Sequence, residues 1–168
     1  MQQHLLMKVG YMVTNRYIDT RGKCTNSATF TEAVVKGLAD GGGLYVPESL
    51  PHFTLDEILS LTKLPYARRA AYIYSAFDID LPEETINNLM DAAYGERFDD
   101  AAICPITSLD ETTHVLELWH GPTSAFKDMA LQCLPYFFSE SAAQLREQGK
   151  LNNTFLILVA TSGDTGKA

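Results

Sequence analysis

Lys127 lies in the run His120-Gly-Pro-Thr-Ser-Ala-Phe-Lys127-Asp128, and a second distinctive stretch, Thr161-Ser-Gly-Asp-Thr-Gly-Lys-Ala168, follows farther along. A lysine set between a short apolar strand and a helix, ahead of a second strand opening into a Gly-rich turn, suits imine chemistry. Imine formation needs a neutral amine. Apolar neighbours such as Ala125, Phe126, Met129 and Ala130 penalise the ammonium form and lower a lysine pKa. The positive end of a helix dipole at its N-terminus acts in the same direction. Lys127 is therefore a candidate nucleophile and proton carrier. Most lysines are solvated surface residues, and composition and spacing leave that alternative open.

The second stretch follows a continuous apolar run, Phe155 to Ala160, and should open a helix. Glycines let backbone approach a ligand closely, and the N–H groups at a helix start attract anions. A nucleotide P-loop needs G-x-x-x-x-G-K-[ST]. Here Gly163 and Gly166 are only three apart, and Ala168 follows Lys167 where a hydroxyl would ligate magnesium, so that reading fails. An ordinary strand-to-helix turn stays open as the plain alternative. His120 and Thr123 lie close enough to Lys127 to touch what it binds, although residues so placed are more often structural. His52 and His114 have no partner pattern and read as surface residues.

These residues must be held by a chain of 168 residues, enough for one ordinary domain or two small ones. A hydrophobic fraction of 46% with 20% charged residues describes a soluble globular protein. The net charge of −8 disfavours nucleic-acid and anionic-membrane surfaces, which need clustered Lys and Arg. Cys24, Cys104 and Cys133 are odd in number and without a C-x-x-C pair, which implies reduced cytoplasmic thiols and argues against a disulfide framework or a metal site. The start lacks the basic and apolar regions of a signal peptide, Met7 is a second candidate start, and no run reaches membrane-spanning length.

The first half reads as short helices with clear punctuation. Thr29 and Glu32 form a capping box ahead of a helical face of Phe30, Ala33, Val34, Gly37 and Leu38, which Asp40-Gly-Gly-Gly43 should stop. Leu44 to Pro47 reads as a short extended piece. Thr54 and Glu57 form a second capping box, and Pro65 and Pro82 stand where helices over 66–77 and 83–94 should begin. Polar connectors follow over 95–100 and 105–110. Val115 to Trp119 reads as a strand, 128–147 as a helix kinked or split by Pro135, and Phe155 to Ala160 as a parallel strand buried on both faces. Strand, helix and strand make one βαβ unit. The expected class is α/β: a small, mainly helical domain over 1–95, then a second domain beginning over 96–168.

Together these segments resemble threonine synthase, a fold-type II pyridoxal-phosphate enzyme with a tryptophan synthase β-like catalytic domain. Glu117 to Gln132 resembles the family's cofactor-lysine segment, and Ala160 to Gly166 its substrate-side loop. The Tyr17-Ile-Asp-Thr-Arg-Gly22 run, Phe30 to Ala33 and Gly42-Gly-Leu-Tyr-Val-Pro47 resemble its own N-terminal domain, the most specific part of the match. Asp19 departs from the pattern, which has serine there. The resemblance implies that pyridoxal 5'-phosphate is the cofactor and Lys127 the Schiff-base lysine. It places Phe126 and Asp128 around that lysine and Asp164 near the cofactor. Ser162, Gly163, Asp164 and Thr165 would then bind the substrate carboxylate.

The implied reaction converts O-phosphohomoserine and water to threonine and phosphate, the last step of threonine biosynthesis. The partner is a small molecule, with no nucleic acid, membrane or metal. The oligomeric state stays open, a homo-oligomer included. The family's phosphate cup and its partner for the pyridine nitrogen lie farther along than Ala168. The chain therefore reads as an N-terminal fragment, inactive alone and a weak binder of the cofactor. A threonine-synthase-like phospholyase giving an α-keto acid, a non-catalytic interaction module, and another fold-type II lyase are the alternatives. The N-terminal runs argue against the last.

Overall fold

The computed structural model describes residues 14–161 and 163–168; Met7, the start region and Ser162 lie outside them. The chain is mixed α/β. Thr29 accepts from the Glu32 N–H at 3.3 Å while the Glu32 carboxylate accepts from the Thr29 N–H at 3.0 Å, so the expected capping box opens α1 (Phe30–Lys36). That helix ends sooner than Asp40. Gly37 adopts φ +74°, a left-handed conformation that glycine enters cheaply and that turns the chain out of the helix. Leu38 is consequently exposed and bridges to Leu44 instead of lying on a helical face.

The glycines at 41 and 43 serve a close approach. A Cβ on either would overlap the carboxylate of Asp19. Asp19 accepts the N–H groups of Arg21 at 3.0 Å and Lys23 at 3.1 Å, and the first of these bonds in particular holds its carboxyl below the usual carboxylate range. Two carboxylate oxygens receive two N–H groups at once, which a serine hydroxyl could not do in the same way. Strand β1 (Tyr17–Asp19) pairs antiparallel with β2 (Tyr45–Pro47), with Ile18 opposite Val46.

A second capping box, Thr54 with Glu57, opens α2 (Leu55–Leu61). Helices α3 (Tyr66–Ala76) and α4 (Glu83–Tyr94) begin directly after Pro65 and Pro82, whose fixed φ is suited to a helix start. They pack face to face, with the small Ala67 and Ala71 admitting Ile86, Met90 and Ala93. Ile86 and Met90 are fully buried, each worth about 1.5–3 kcal/mol relative to exposure.

The predicted 128–147 helix divides, as Pro135 requires, into α5 (Asp128–Leu131) and α6 (Leu134–Glu147), with the proline in the first turn of α6. Phe98, Ile103, Cys133 and Phe137 join the same core as α3 and α4, so the apolar interior runs on past Gly95. Phe137 meets Phe30 at 5.2 Å and Tyr74 at 4.6 Å between ring centroids. Asp80, in the connection between α3 and α4, ties α1 to α6: it accepts from the Thr31 N–H at 2.9 Å and hydroxyl at 2.6 Å, and its backbone carbonyl accepts from Gln144 of α6 at 2.9 Å.

The later strands differ from expectation. Val115 lies in β4 (His114–Leu116), which pairs antiparallel with β3 (Ile106–Ser108) inside the stretch read as a connector. Asp110 closes that hairpin by accepting the N–H groups of Thr112 and Thr113, each at 2.8 Å. The run over 155–160 is not a buried parallel strand. Leu156 is 82% and Leu158 83% exposed, and no ladder includes the run among the described residues. Such a strand needs a neighbour for its backbone and a covered surface on each face, and the described residues supply neither. The chain closes with the single turn α7 (Asp164–Lys167).

Candidate active site

The segment carrying Lys127 is a hook closed by its own side chains. Asp128, at the start of α5, is fully buried. Its carboxylate accepts from the Thr123 N–H at 2.9 Å, the Thr123 hydroxyl at 2.8 Å and, more weakly, the Gln132 amide at 3.4 Å. Charge-assisted bonds of this kind are the stronger class. Gly121 lies against the same side chain, where a Cβ would overlap that of Asp128. Ser124 turns the hook at φ +54°, its N–H bonded to the Gly121 carbonyl at 3.0 Å. A non-glycine residue held there stores on the order of 1 kcal/mol of strain.

Lys127 sits on this hook as the residue capping α5, half-buried, with Nζ 4.4 Å above the ring of Phe126. Phe126 is itself 59% exposed and forms one face of the lysine's surroundings. Among the described residues no carboxylate pairs with Lys127. Asp128, expected beside the cofactor, directs both carboxylate oxygens to the hook.

His120 precedes the hook and is held on both ring nitrogens. Nδ1 lies 2.6 Å from Asp99 and Nε2 2.7 Å from Glu117, while its carbonyl accepts from the Asp99 N–H at 3.0 Å. The bonds to Glu117 and then Asp99 raise its pKa above the ordinary 6.5. Glu117 is lowered in turn, first by the Thr107 hydroxyl at 2.6 Å and then by His120. This chain of partners was legible only in part: Glu117 and His120 are three apart, whereas Asp99 falls in a polar connector with no pattern to single it out.

The Gly-rich turn is held more lightly. Ser162 lies outside the described residues. Gly163 adopts φ +122°, a conformation that side chains rarely allow. The Thr161 hydroxyl accepts the N–H groups of Gly163 and Gly166, each at 3.1 Å, an arrangement the motif alone does not reveal. Asp164 is exposed and faces Lys167 at 3.9 Å, and Thr165 is half-buried. One residue joins the two motifs: the Gln132 amide lies 3.4 Å from both the Asp128 carboxylate and the Ala168 carbonyl. Its spacing of four from Asp128 on a helical run is the signal that could have found it.

The architecture is a mixed α/β one in which a helical N-terminal unit leads into a lysine-bearing hook, and solved structures are similar to the chain over most of its length. The chain is 35% identical to the pyridoxal-phosphate-bound threonine synthase of Brucella melitensis, with a TM-score of 0.73 over 81% of this chain and 28% of that one. Residues 16–94 match the family described as "Threonine synthase N terminus". In sequence and in fold the chain is similar to the N-terminal part of threonine synthases. It is 41% identical to the threonine synthase of Pseudomonas aeruginosa over 91% of its own length and 31% of that protein's. It is also 38% identical to human threonine synthase-like 1 over 83% of its length and 18% of that protein's. The chain thus spans about a third or less of the curated relatives it matches.

Proposed function

We propose that this chain supplies the lysine side of a pyridoxal-phosphate site in a threonine synthase, which converts O-phosphohomoserine and water to threonine and phosphate. The observation that carries this reading is Lys127 on a hook whose polar groups are met internally, leaving the amine without a carboxylate partner among the described residues. An amine so presented fits an aldehyde-bearing cofactor. When bound, that cofactor would serve as an electron sink for bonds at the substrate's Cα and Cβ.

The chain's own residues take distinct roles. Lys127 Nζ would hold the cofactor and would carry protons to and from the substrate carbons. Phe126 limits water on one side of that amine. Ser162, Gly163, Asp164 and Thr165 orient the substrate carboxylate, Asp164 lying near the cofactor as well. Asp128 contributes by fixing the hook. Gly95 is retained as the boundary between domains over 1–95 and 96–168, next to the end of the family match at residue 94. The proposed placement is cytoplasmic; among the described residues no helix is long and apolar enough to cross a membrane.

A threonine-synthase-like phospholyase giving an α-keto acid is the alternative; product analysis of the full-length protein separates the two. With the 155–160 run exposed, this chain alone should bind the cofactor weakly and turn nothing over. The test is to add pyridoxal phosphate to the chain and to Lys127→Ala, reduce with borohydride, and map the labelled peptides. Preferential labelling at Lys127, lost in the variant, supports the reading. Equal labelling of scattered surface lysines in both proteins removes it for this chain.

A further inference from the structure

We propose that His120 is a positioning residue for Lys127: a ring clamped between Asp99 and Glu117 pins the entrance of the Gly121–Asp128 hook, and the clamp opens as pH rises. The proposal gives Lys127 the role assigned above, but its principal tests read His120 and the hook directly.

The geometry requires both ring nitrogens to act as donors. Each faces a carboxylate oxygen, at 2.6 Å and 2.7 Å. A neutral imidazole has one N–H and one lone pair, so it can satisfy only one of two carboxylates; the imidazolium satisfies both. The His120 side chain is only 14% exposed, which leaves it little room to turn toward water.

The clamp gathers three segments. Asp99 lies in the connector after α4 and holds His120 twice, by its carboxylate and by its N–H to the His120 carbonyl at 3.0 Å. Glu117 follows β4 and reaches Thr107 of β3 through its other oxygen at 2.6 Å. Gly121, the next residue in the chain, is the one that lies against Asp128. A shift of the His120 backbone is therefore delivered to the hook with no flexible spacer between them.

The charged groups facing the ring are Asp99 from the connector and Glu117 from its own segment; Thr107 supplies a neutral hydroxyl from β3, and the Trp119 ring lies 5.6 Å away. Both charges are negative, so both favour the imidazolium. A histidine whose folded pKa is raised contributes stability that is complete below its unfolded value of 6.5 and is lost as pH climbs through the folded value. The clamp is thus closed on the acid side and opens as pH climbs through the raised pKa.

The experiment uses the 168-residue chain. The ring protons of His120 are titrated by NMR, and amide-exchange protection, corrected for intrinsic rates, is followed across the same pH range at Ser124 and Asp128, whose N–H groups bond within the hook. The expected result is a His120 midpoint above 6.5, with hook protection lost through that same midpoint. Asp99→Asn removes one facing charge from an exposed position and should shift both midpoints downward together. His120→Asn should abolish the pH dependence of hook protection; if that variant does not fold, Asp99→Asn decides alone. A His120 midpoint at or below the ordinary value, or hook protection that stays flat while His120 titrates, overturns the proposal. Borohydride labelling of Lys127 is run alongside. Absence of labelling at every pH counts against the cofactor reading and leaves the His120 result standing.

Discussion

The hook over 121–128 and the Gly-rich turn over 161–168 are both loops leading into a helical turn, yet they are held in opposite ways. The hook is closed by a fully buried carboxylate, a glycine that leaves room for it, and a threonine giving two hydrogen bonds. Its base reaches the core through Met129 and Cys133. Among the described residues the turn is held by the Thr161 hydroxyl, a backbone bond from the Lys167 N–H to the Gly163 carbonyl and one long bond from Gln132, and the apolar run before it is exposed. Placement of Lys127 is thus encoded within this chain. Firm placement of the Gly-rich turn requires the apolar run before it to be seated against other surfaces.

The sharpest way to break that comparison is Asp128→Ala. It removes the acceptor for both Thr123 groups from a fully buried site, and the expected loss is about 3 kcal/mol in urea unfolding, the upper end for stranding buried donors. A loss no larger than that of a surface change would mean the hook is not closed by Asp128. Gly121→Ala comes next. Its Cβ would meet the Asp128 side chain, and overpacking of this kind costs about 2 kcal/mol. Tyr94→Phe probes the base of the hook, because the Tyr94 hydroxyl donates to the Met129 carbonyl at 2.6 Å. Its removal should cost about 1 kcal/mol.

The same contrast explains what the sequence discloses. Elements fixed by local chemistry were legible: both capping boxes, the helices starting after Pro65 and Pro82, and the split at Pro135 all occur where the residues place them. Each depends on side chains within about one turn of the backbone they satisfy. Features fixed by distant partners were not. Strand β1 exists because β2 pairs with it, and β3 because Asp110 turns the hairpin onto β4. The run at 155–160 has the composition of a buried strand, but composition cannot provide the ladder that makes one. In the candidate site the motifs marked Lys127 and the Gly-rich turn. They did not mark Asp99, Gln132 or Thr161, whose roles come from partners across a bend or in another segment.

Thr161→Val has the smallest expected effect and sharpens the comparison most. Valine keeps the shape of threonine but offers no acceptor, so the N–H groups of Gly163 and Gly166 lose their common partner. Thr161 is exposed, and water can replace the lost bonds. The global cost in urea should therefore stay below about 0.5 kcal/mol, within the range of surface substitutions. Amide exchange should nevertheless speed up at Gly163 and Gly166 and stay unchanged at Ser124 and Asp128 in the hook. A global cost approaching that of Asp128→Ala would mean that the turn is seated as firmly as the hook. Faster exchange in the hook as well would mean that the Gln132 link joins the two motifs into one cooperative unit, and that Lys127 depends on the Gly-rich turn for its position.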